Sequence, residues 1–189
     1  MKTGRKAIKV MKTISWDCFN MYLEILSRSS QATIDLGKKF SKILGGGDVI
    51  IFSGELGGGK TAFVSGLADG LGIKENLSSP SFTILNQYDA GKLRLVHIDF
   101  YRLDGVDEFD NIGIDDYIYD DSAVLCIEWG EKIRQYIKKD YLIISFNYVI
   151  EDEESMNKRI IRFDSGSDYW NKKLNILKKI LAREDIQYT

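Results

Sequence analysis

Apolar positions along the chain switch repeatedly between short unbroken runs and helical spacing, the rhythm of alternating strands and helices. Tyr22 to Leu26 reads as a short edge strand. Ser29, Ser30 and Gln31 then offer polar helix caps, and Ile34, Leu36, Phe40, Ile43 and Leu44 recur at roughly helical spacing. Gly45-Gly46-Gly47 ends that helix and turns the chain into Val49-Ile50-Ile51-Phe52, a continuous apolar run expected of a strand buried on both faces. Phe63, Val64, Leu67 and Leu71 give the next helix its apolar face, with Gly72 at its end.

Farther along, Ser79-Pro80-Ser81 contains the only proline and reads as a loop entering a strand from Phe82 to Tyr88, because proline biases the residue before it towards extended backbone. Asp89-Ala90-Gly91 suits a hairpin turn into a strand from Leu93 to Asp99. Val124 to Glu128 has the character of a fully buried strand. Tyr141 to Ile150 and Arg159 to Phe163 predict a further hairpin around a solvated loop, Glu151-Asp152-Glu153-Glu154. Leu174, Leu177, Ile180 and Leu181 place an apolar stripe on a closing helix from Trp170 to Leu181. The pattern predicts a single α/β domain over residues 21–189, with a mostly parallel central sheet, flanking helices and antiparallel additions at the edge. Residues 1–20, with Lys2, Arg5, Lys6, Lys9 and Lys12 and no acid before Asp17, read as a flexible N-terminal extension, with a basic docking arm as the alternative.

Composition narrows the chemistry. A chain of 189 residues suits one core, and a formal charge of −2 supplies no global attraction to nucleic acid or membranes. No apolar run approaches the ~20 residues of a membrane span. Cys18 and Cys126 lie in apolar surroundings without metal-ligand spacing, so buried thiols in a reducing, cytoplasmic setting are expected. With one histidine, His97, zinc has almost no ligands to draw on.

Gly54-Glu55-Leu56-Gly57-Gly58-Gly59-Lys60-Thr61 fits the P-loop pattern and sits where that pattern requires, between a strand and a helix. Such a loop aims backbone N–H groups and a helix N-terminus at an anion. Gly57, Gly58, Gly59, Lys60, Thr61 and Ala62 are therefore expected to hold nucleotide phosphates, with Lys60 reaching the β- and γ-phosphates and the Thr61 hydroxyl ligating Mg²⁺. The strands Leu95 to Asp99 and Val124 to Glu128 each end in an acid, and ligands of open α/β sheets bind beyond the carboxyl ends of the strands. Asp99 and Glu128 are thus the catalytic candidates beside Lys60.

Five segments then occur in a specific order: the P-loop, Ser79-Pro80-Ser81-Phe82-Thr83, His97-Ile98-Asp99-Phe100-Tyr101-Arg102-Leu103, Gly113-Ile114-Asp115-Asp116-Tyr117 and Ile127-Glu128-Trp129. Together they resemble the TsaE family, P-loop ATPases of bacterial tRNA threonylcarbamoyladenosine biosynthesis, over residues 29–163. Gly58 stands where the family usually has Ala, which loosens the loop slightly, and Ser81 where it has Thr, which keeps a hydroxyl. The resemblance implies ATP and Mg²⁺ as cofactors, slow ATP hydrolysis, and partners TsaD and TsaB, with tRNA reached through the complex.

It also implies roles. Thr61 and Glu128 form the Mg²⁺ side, Asp99 positions water or senses the γ-phosphate, and Ser81 and Thr83 lie on a switch-like loop. Ser30 and Arg159 match positions near the nucleotide. Tyr101, Arg102 and Trp129 are candidates for partner contact or a gate, with packing as the alternative for Trp129 and neutralisation of Asp99 or Glu128 for Arg102. His97 reads as a satisfied, neutral strand residue. A small-molecule or nucleotide kinase and a non-catalytic nucleotide-gated adaptor are the competing functions; eight arginines without a cluster after the P-loop weigh against the kinase.

Overall fold

Apolar runs at Val49–Ser53, Ala123–Glu128 and Arg94–Asp99 pair side by side because strands buried on both faces satisfy their backbone only against one another. The computed structural model describes residues 8–17, 20–75, 77–103, 111–149 and 157–186. In chain order its elements are β1 (Ile8–Asp17), β2 (Asn20–Ser27), α1 (Ser30–Phe40), β3 (Val49–Ser53), α2 (Lys60–Leu71), β4 (Leu85–Asp89), β5 (Arg94–Asp99), α3 (Ile114–Ile118), β6 (Ala123–Glu128), β7 (Tyr141–Tyr148), β8 (Arg159–Ser165) and α4 (Asp168–Ile186). The described strands make one eight-stranded sheet in the order β1-β2-β8-β7-β3-β6-β5-β4. Its centre, β7-β3-β6-β5, is parallel. Antiparallel strands flank the centre on both sides, β8, β2 and β1 on one and β4 on the other.

Alternation along the central strands divides the interior in two. Ile50, Phe52 and Cys126 face the layer that holds Leu36, Phe40, Phe63, Leu67, Trp170, Leu174 and Leu177, from α1, α2 and α4. Val49, Ile51, Leu125 and Ile127 face the other layer, closed by Ile114 and Ile118 of α3 and by Ile133 and Ile137. Phe63 is the hub of the first layer, with ring centroids 5.5 to 6.1 Å from Phe40, Phe52, Phe146 and Phe163. Truncating such a residue typically costs about 3–5 kcal/mol; here it would also release α2, whose first turn carries Lys60 and Thr61.

α1 braces α2 at backbone distance. A Cβ at Gly66 would lie 1.9 Å from the Ile34 carbonyl oxygen, so any side chain there would push the two helices apart. Ser29 caps α1, its Oγ accepting from the Ala32 N–H at 3.1 Å.

Three expectations change. The stretch read as a flexible extension contains β1, which pairs with β2 along its length, with Ile8 and Val10 packed against the core. Consequently β2 is an interior strand rather than an edge. The strand expected from Phe82 begins at Leu85, because residues 81–83 turn and Ile84 adopts φ 68°, an uncommon left-handed conformation for a β-branched residue. Cys126 is a buried free thiol, pushed well above its ordinary pKa by burial and then by Glu128 and Asp48. Cys18 and the acidic run at 151–154 lie outside the described residues. Among the described residues no helix is long and apolar enough to cross a membrane.

Candidate functional site

The P-loop crosses from β3 to α2 over the carboxyl ends of the parallel strands. Gly54 has φ 121°, and a Cβ there would lie 2.4 Å from the Phe146 carbonyl oxygen, so the loop can pass over β7 only without a side chain. The chain enters α2 through Gly59, itself left-handed at φ 107°. Lys60 is buried at 4% exposure, with Nζ donating to the carbonyls of Gly54 at 2.7 Å and Glu55 at 3.0 Å. Burial lowers its pKa, opposed by the nearby carboxylates of Glu128, Asp99 and Glu131. Ala62 follows Thr61 in the first turn of α2.

Opposite the loop, parallel pairing puts Asp99 of β5 directly beside Glu128 of β6. Two strand-end acids far apart in sequence thereby share one face, and both are buried. Glu128 Oε1 accepts from Thr61 Oγ1 at 3.0 Å and lies 3.0 Å from His97 Nε2. Asp99 Oδ2 accepts from Ser81 Oγ and from Ser79 Oγ at 3.0 Å, while Oδ1 accepts from the Tyr101 N–H at 2.9 Å. Among the described residues, neither carboxylate pairs with a lysine or arginine at salt-bridge distance.

Aromatic residues roof this cluster. Trp129 leaves β6 at φ 58° and lies 4.6 Å, centroid to Nζ, from Lys60. Tyr101 packs against it, with ring centroids 5.3 Å apart and the planes tilted by 49°. Arg102 lies 4.1 Å over the ring of Phe82, which is 83% exposed. That stacking, rather than neutralisation of Asp99 or Glu128, is the contact Arg102 makes.

The remaining candidates divide. Ser81 joins the Asp99 cluster, whereas the Thr83 hydroxyl donates to Asn86 Oδ1 at 2.9 Å on the exposed side of the turn. Ser30 is the exposed first residue of α1, on the turn whose Thr33 approaches Gly59; a Cβ at Gly59 would lie 3.7 Å from Thr33 Cγ2. Arg159 stacks on Tyr148 at 4.0 Å, and the Tyr148 hydroxyl donates to the Leu56 carbonyl of the P-loop at 3.0 Å. Ser79 and Tyr148 escaped the sequence reading. A serine two residues before Ser81 was the available signal for the first, while the second depends on β7 passing under the P-loop. His97 is less than fully satisfied, since its Nδ1 has no hydrogen-bond partner among the described residues.

No cluster of three or more His, Cys, Asp or Glu able to hold a metal exists among the described residues. Thr61 and Glu128 supply hard oxygen donors without a complete cage, with Asp99 beside them. That set fits Mg²⁺, which takes one or two carboxylates and completes its shell with water and phosphate oxygens.

The family model described as threonylcarbamoyl adenosine biosynthesis protein TsaE matches residues 27–160. A tRNA threonylcarbamoyladenosine biosynthesis protein TsaE of Treponema pallidum is 39% identical over 129 residues, covering 68% of this chain and 94% of the relative. The protein of that name from Bacillus subtilis is 34% identical over 146 residues, covering 77% and 85%. In structure, the chain is similar to the crystal structure of B. subtilis YdiB, with a TM-score of 0.67 and 27% identity over 84% of this chain and 95% of that one. The fold is that of a P-loop NTPase, and the chain belongs to the TsaE family of threonylcarbamoyladenosine biosynthesis proteins.

Proposed function

We propose that this chain binds ATP with Mg²⁺ on the P-loop, hydrolyses it slowly alone, and uses the nucleotide state to govern its engagement with TsaD and TsaB as they modify tRNA. The observation that carries this reading is the Thr61–Glu128 contact beside Asp99. It joins the P-loop helix to two buried acids that no lysine or arginine among the described residues contacts at salt-bridge distance, the Lys60 ammonium acting on them from farther off.

Each residue then has a task. Lys60 exchanges its carbonyl partners, Gly54 and Glu55, for phosphate oxygens. Thr61 and Glu128 hold Mg²⁺, which when bound neutralises charge developing on the phosphates. Asp99, its carboxylate oriented by Ser79, Ser81 and the Tyr101 N–H, positions the attacking water. Trp129 covers the site and limits water access.

The same geometry gives a partner a surface to read. Moving Lys60 towards a phosphate alters its contact with Trp129, against which Tyr101 packs; a change at Asp99 reaches Phe82 through the adjacent Ser81. Phe82 and Tyr101, 83% and 47% exposed, lie on the partner side of this coupling. Family membership favours this reading over a kinase.

A pull-down with TsaD and TsaB in ATP, in ADP and without nucleotide tests it. We expect nucleotide-dependent capture, lost in Lys60→Ala, together with a changed rate of phosphate release when the partners are added. Capture that ignores nucleotide and an unaltered rate would contradict the coupling.

A further inference from the structure

His97 is fully buried and is the sole histidine of the chain. It points from β5 towards the same layer as Glu128, two residues along the strand from Asp99. Its Nε2 lies 3.0 Å from Glu128 Oε1, and its Nδ1 has no partner among the described residues. Burying an unpartnered polar atom opposes folding, and a leucine in this β5 position would extend the core without that cost. The histidine therefore calls for an explanation beyond packing.

Two polar side chains converge on one oxygen of Glu128. Thr61 approaches from α2 and His97 from β5, both at 3.0 Å from Oε1, while no described residue donates to Oε2. The two are unequal under load. The Thr61 hydroxyl oxygen is shared with a cation once one binds, whereas His97 is committed to Glu128 alone.

We infer that His97 is a positioning residue: its imidazole, donating from Nε2, holds Glu128 Oε1 and leaves Oε2 available to a Mg²⁺ ion that Thr61 would also ligate. This rests on the reading of Glu128 as the Mg²⁺-side acid. The tautomer follows from the contact, because placing the proton on Nε2 makes Nδ1 an unpaired acceptor, whereas the opposite tautomer would bury an orphan N–H and face a lone pair with a carboxylate. Outer-shell partners of metal ligands act in this way, and removing one costs 10–100-fold in metal affinity in other sites.

The single histidine makes the test clean. In the full-length protein labelled with ¹⁵N-histidine, the ring spectrum without nucleotide should show a proton on Nε2 and none on Nδ1. Glu128→Gln should move the Nε2 signal. ADP affinity measured with and without Mg²⁺ should show a roughly 10-fold smaller Mg²⁺-dependent gain in His97→Leu, with metal-free ADP affinity unchanged and the melting temperature equal or higher. His97→Gln, whose amide nitrogen reaches the place of Nε2, should keep the gain.

An Nδ1-protonated ring would overturn the assignment even if His97→Leu failed to fold. So would an intact Mg²⁺ gain in His97→Leu, or a His97→Gln variant as impaired as the leucine. Those results would leave the nucleotide function standing, whereas a wild-type chain that binds no ADP at any Mg²⁺ concentration would overturn both.

Discussion

Buried carboxylates occupy both ends of β3 and its neighbours, and their partners differ in kind. At the entry to β3, Asp48 accepts from the Tyr169 hydroxyl at 2.6 Å, from the Gly45 N–H at 2.8 Å and from the Lys173 ammonium. Lys173 in turn lies over the rings of Tyr169 and Trp170. Both oxygens are used and a cation balances the charge, so this end fastens α4 to the glycine turn. At the exit, Asp99 and Glu128 lie side by side with hydroxyls, one N–H and an imidazole for company. Hydrogen bonds fix their orientation, but no lysine or arginine among the described residues pairs with them. A saturated carboxylate builds the fold, whereas two acids oriented by hydrogen bonds, with the Lys60 ammonium near them but not in contact, keep net negative charge for an incoming cation.

The largest effect should come from the saturated end. Asp48→Ala leaves the Lys173 ammonium and Tyr169 hydroxyl without their acceptor, and breaking a buried pair in this way costs about 3–5 kcal/mol. Urea unfolding should register that loss while the rate of ATP hydrolysis per folded molecule stays put. An unchanged unfolding midpoint would erase the distinction between the two ends.

Next, Glu128→Gln and Asp99→Asn should each slow hydrolysis by ~100-fold, about 2.7 kcal/mol, without lowering stability, because each removes one of two adjacent like charges. Extra Mg²⁺ should partly restore Glu128→Gln but not Asp99→Asn in a steady-state assay. The reverse pattern would exchange the two roles.

A smaller effect separates the hydroxyls around Asp99. Ser79→Ala removes one donor and should cost about 1 kcal/mol in transition-state stabilisation, roughly 5-fold in rate. Thr83→Ala, whose hydroxyl is spent on Asn86, should leave the single-turnover rate unchanged. Equal losses would place the switch elsewhere on the loop.

The smallest is a pH effect at Lys60. Burial lowers its pKa from 10.5, so the folded chain releases this proton before the unfolded chain does. Through that window the unfolded state binds more protons, and this residue's contribution to stability rises with pH. Phosphate affinity should fall over the same range as the ammonium is lost. Comparing wild type with Lys60→Met in nucleotide titrations and urea unfolding from pH 8 upwards isolates both signs; a wild-type affinity flat up to 10.5 would contradict them.

The difference between the two ends also governs what the sequence discloses. The phosphate end is written locally: eight consecutive residues define the loop, and Asp99 and Glu128 announce themselves at the ends of apolar runs. The Asp48 fastening is invisible there, since its partners Tyr169 and Lys173 lie 121 and 125 residues away and look like ordinary helix-surface residues. On the loop the sequence singles out Ser81 and Thr83 but not Ser79, whereas the turn that ends at left-handed Ile84 puts Ser79 on Asp99 and Thr83 on Asn86. β1 was obscured by its lysines, which read as a solvated arm although Ile8 and Val10 alternate with them towards the core.

On the proposed function, the acid pair couples ATP to repeated rounds of work by partner proteins. Threonylcarbamoyladenosine formation on tRNA by TsaD and TsaB over many turnovers tests this, with no addition, with this chain, or with its Glu128→Gln variant. We predict that the wild-type chain sustains turnover and that the variant, although folded and able to bind nucleotide, does not. Equal product in all three reactions would contradict the claim.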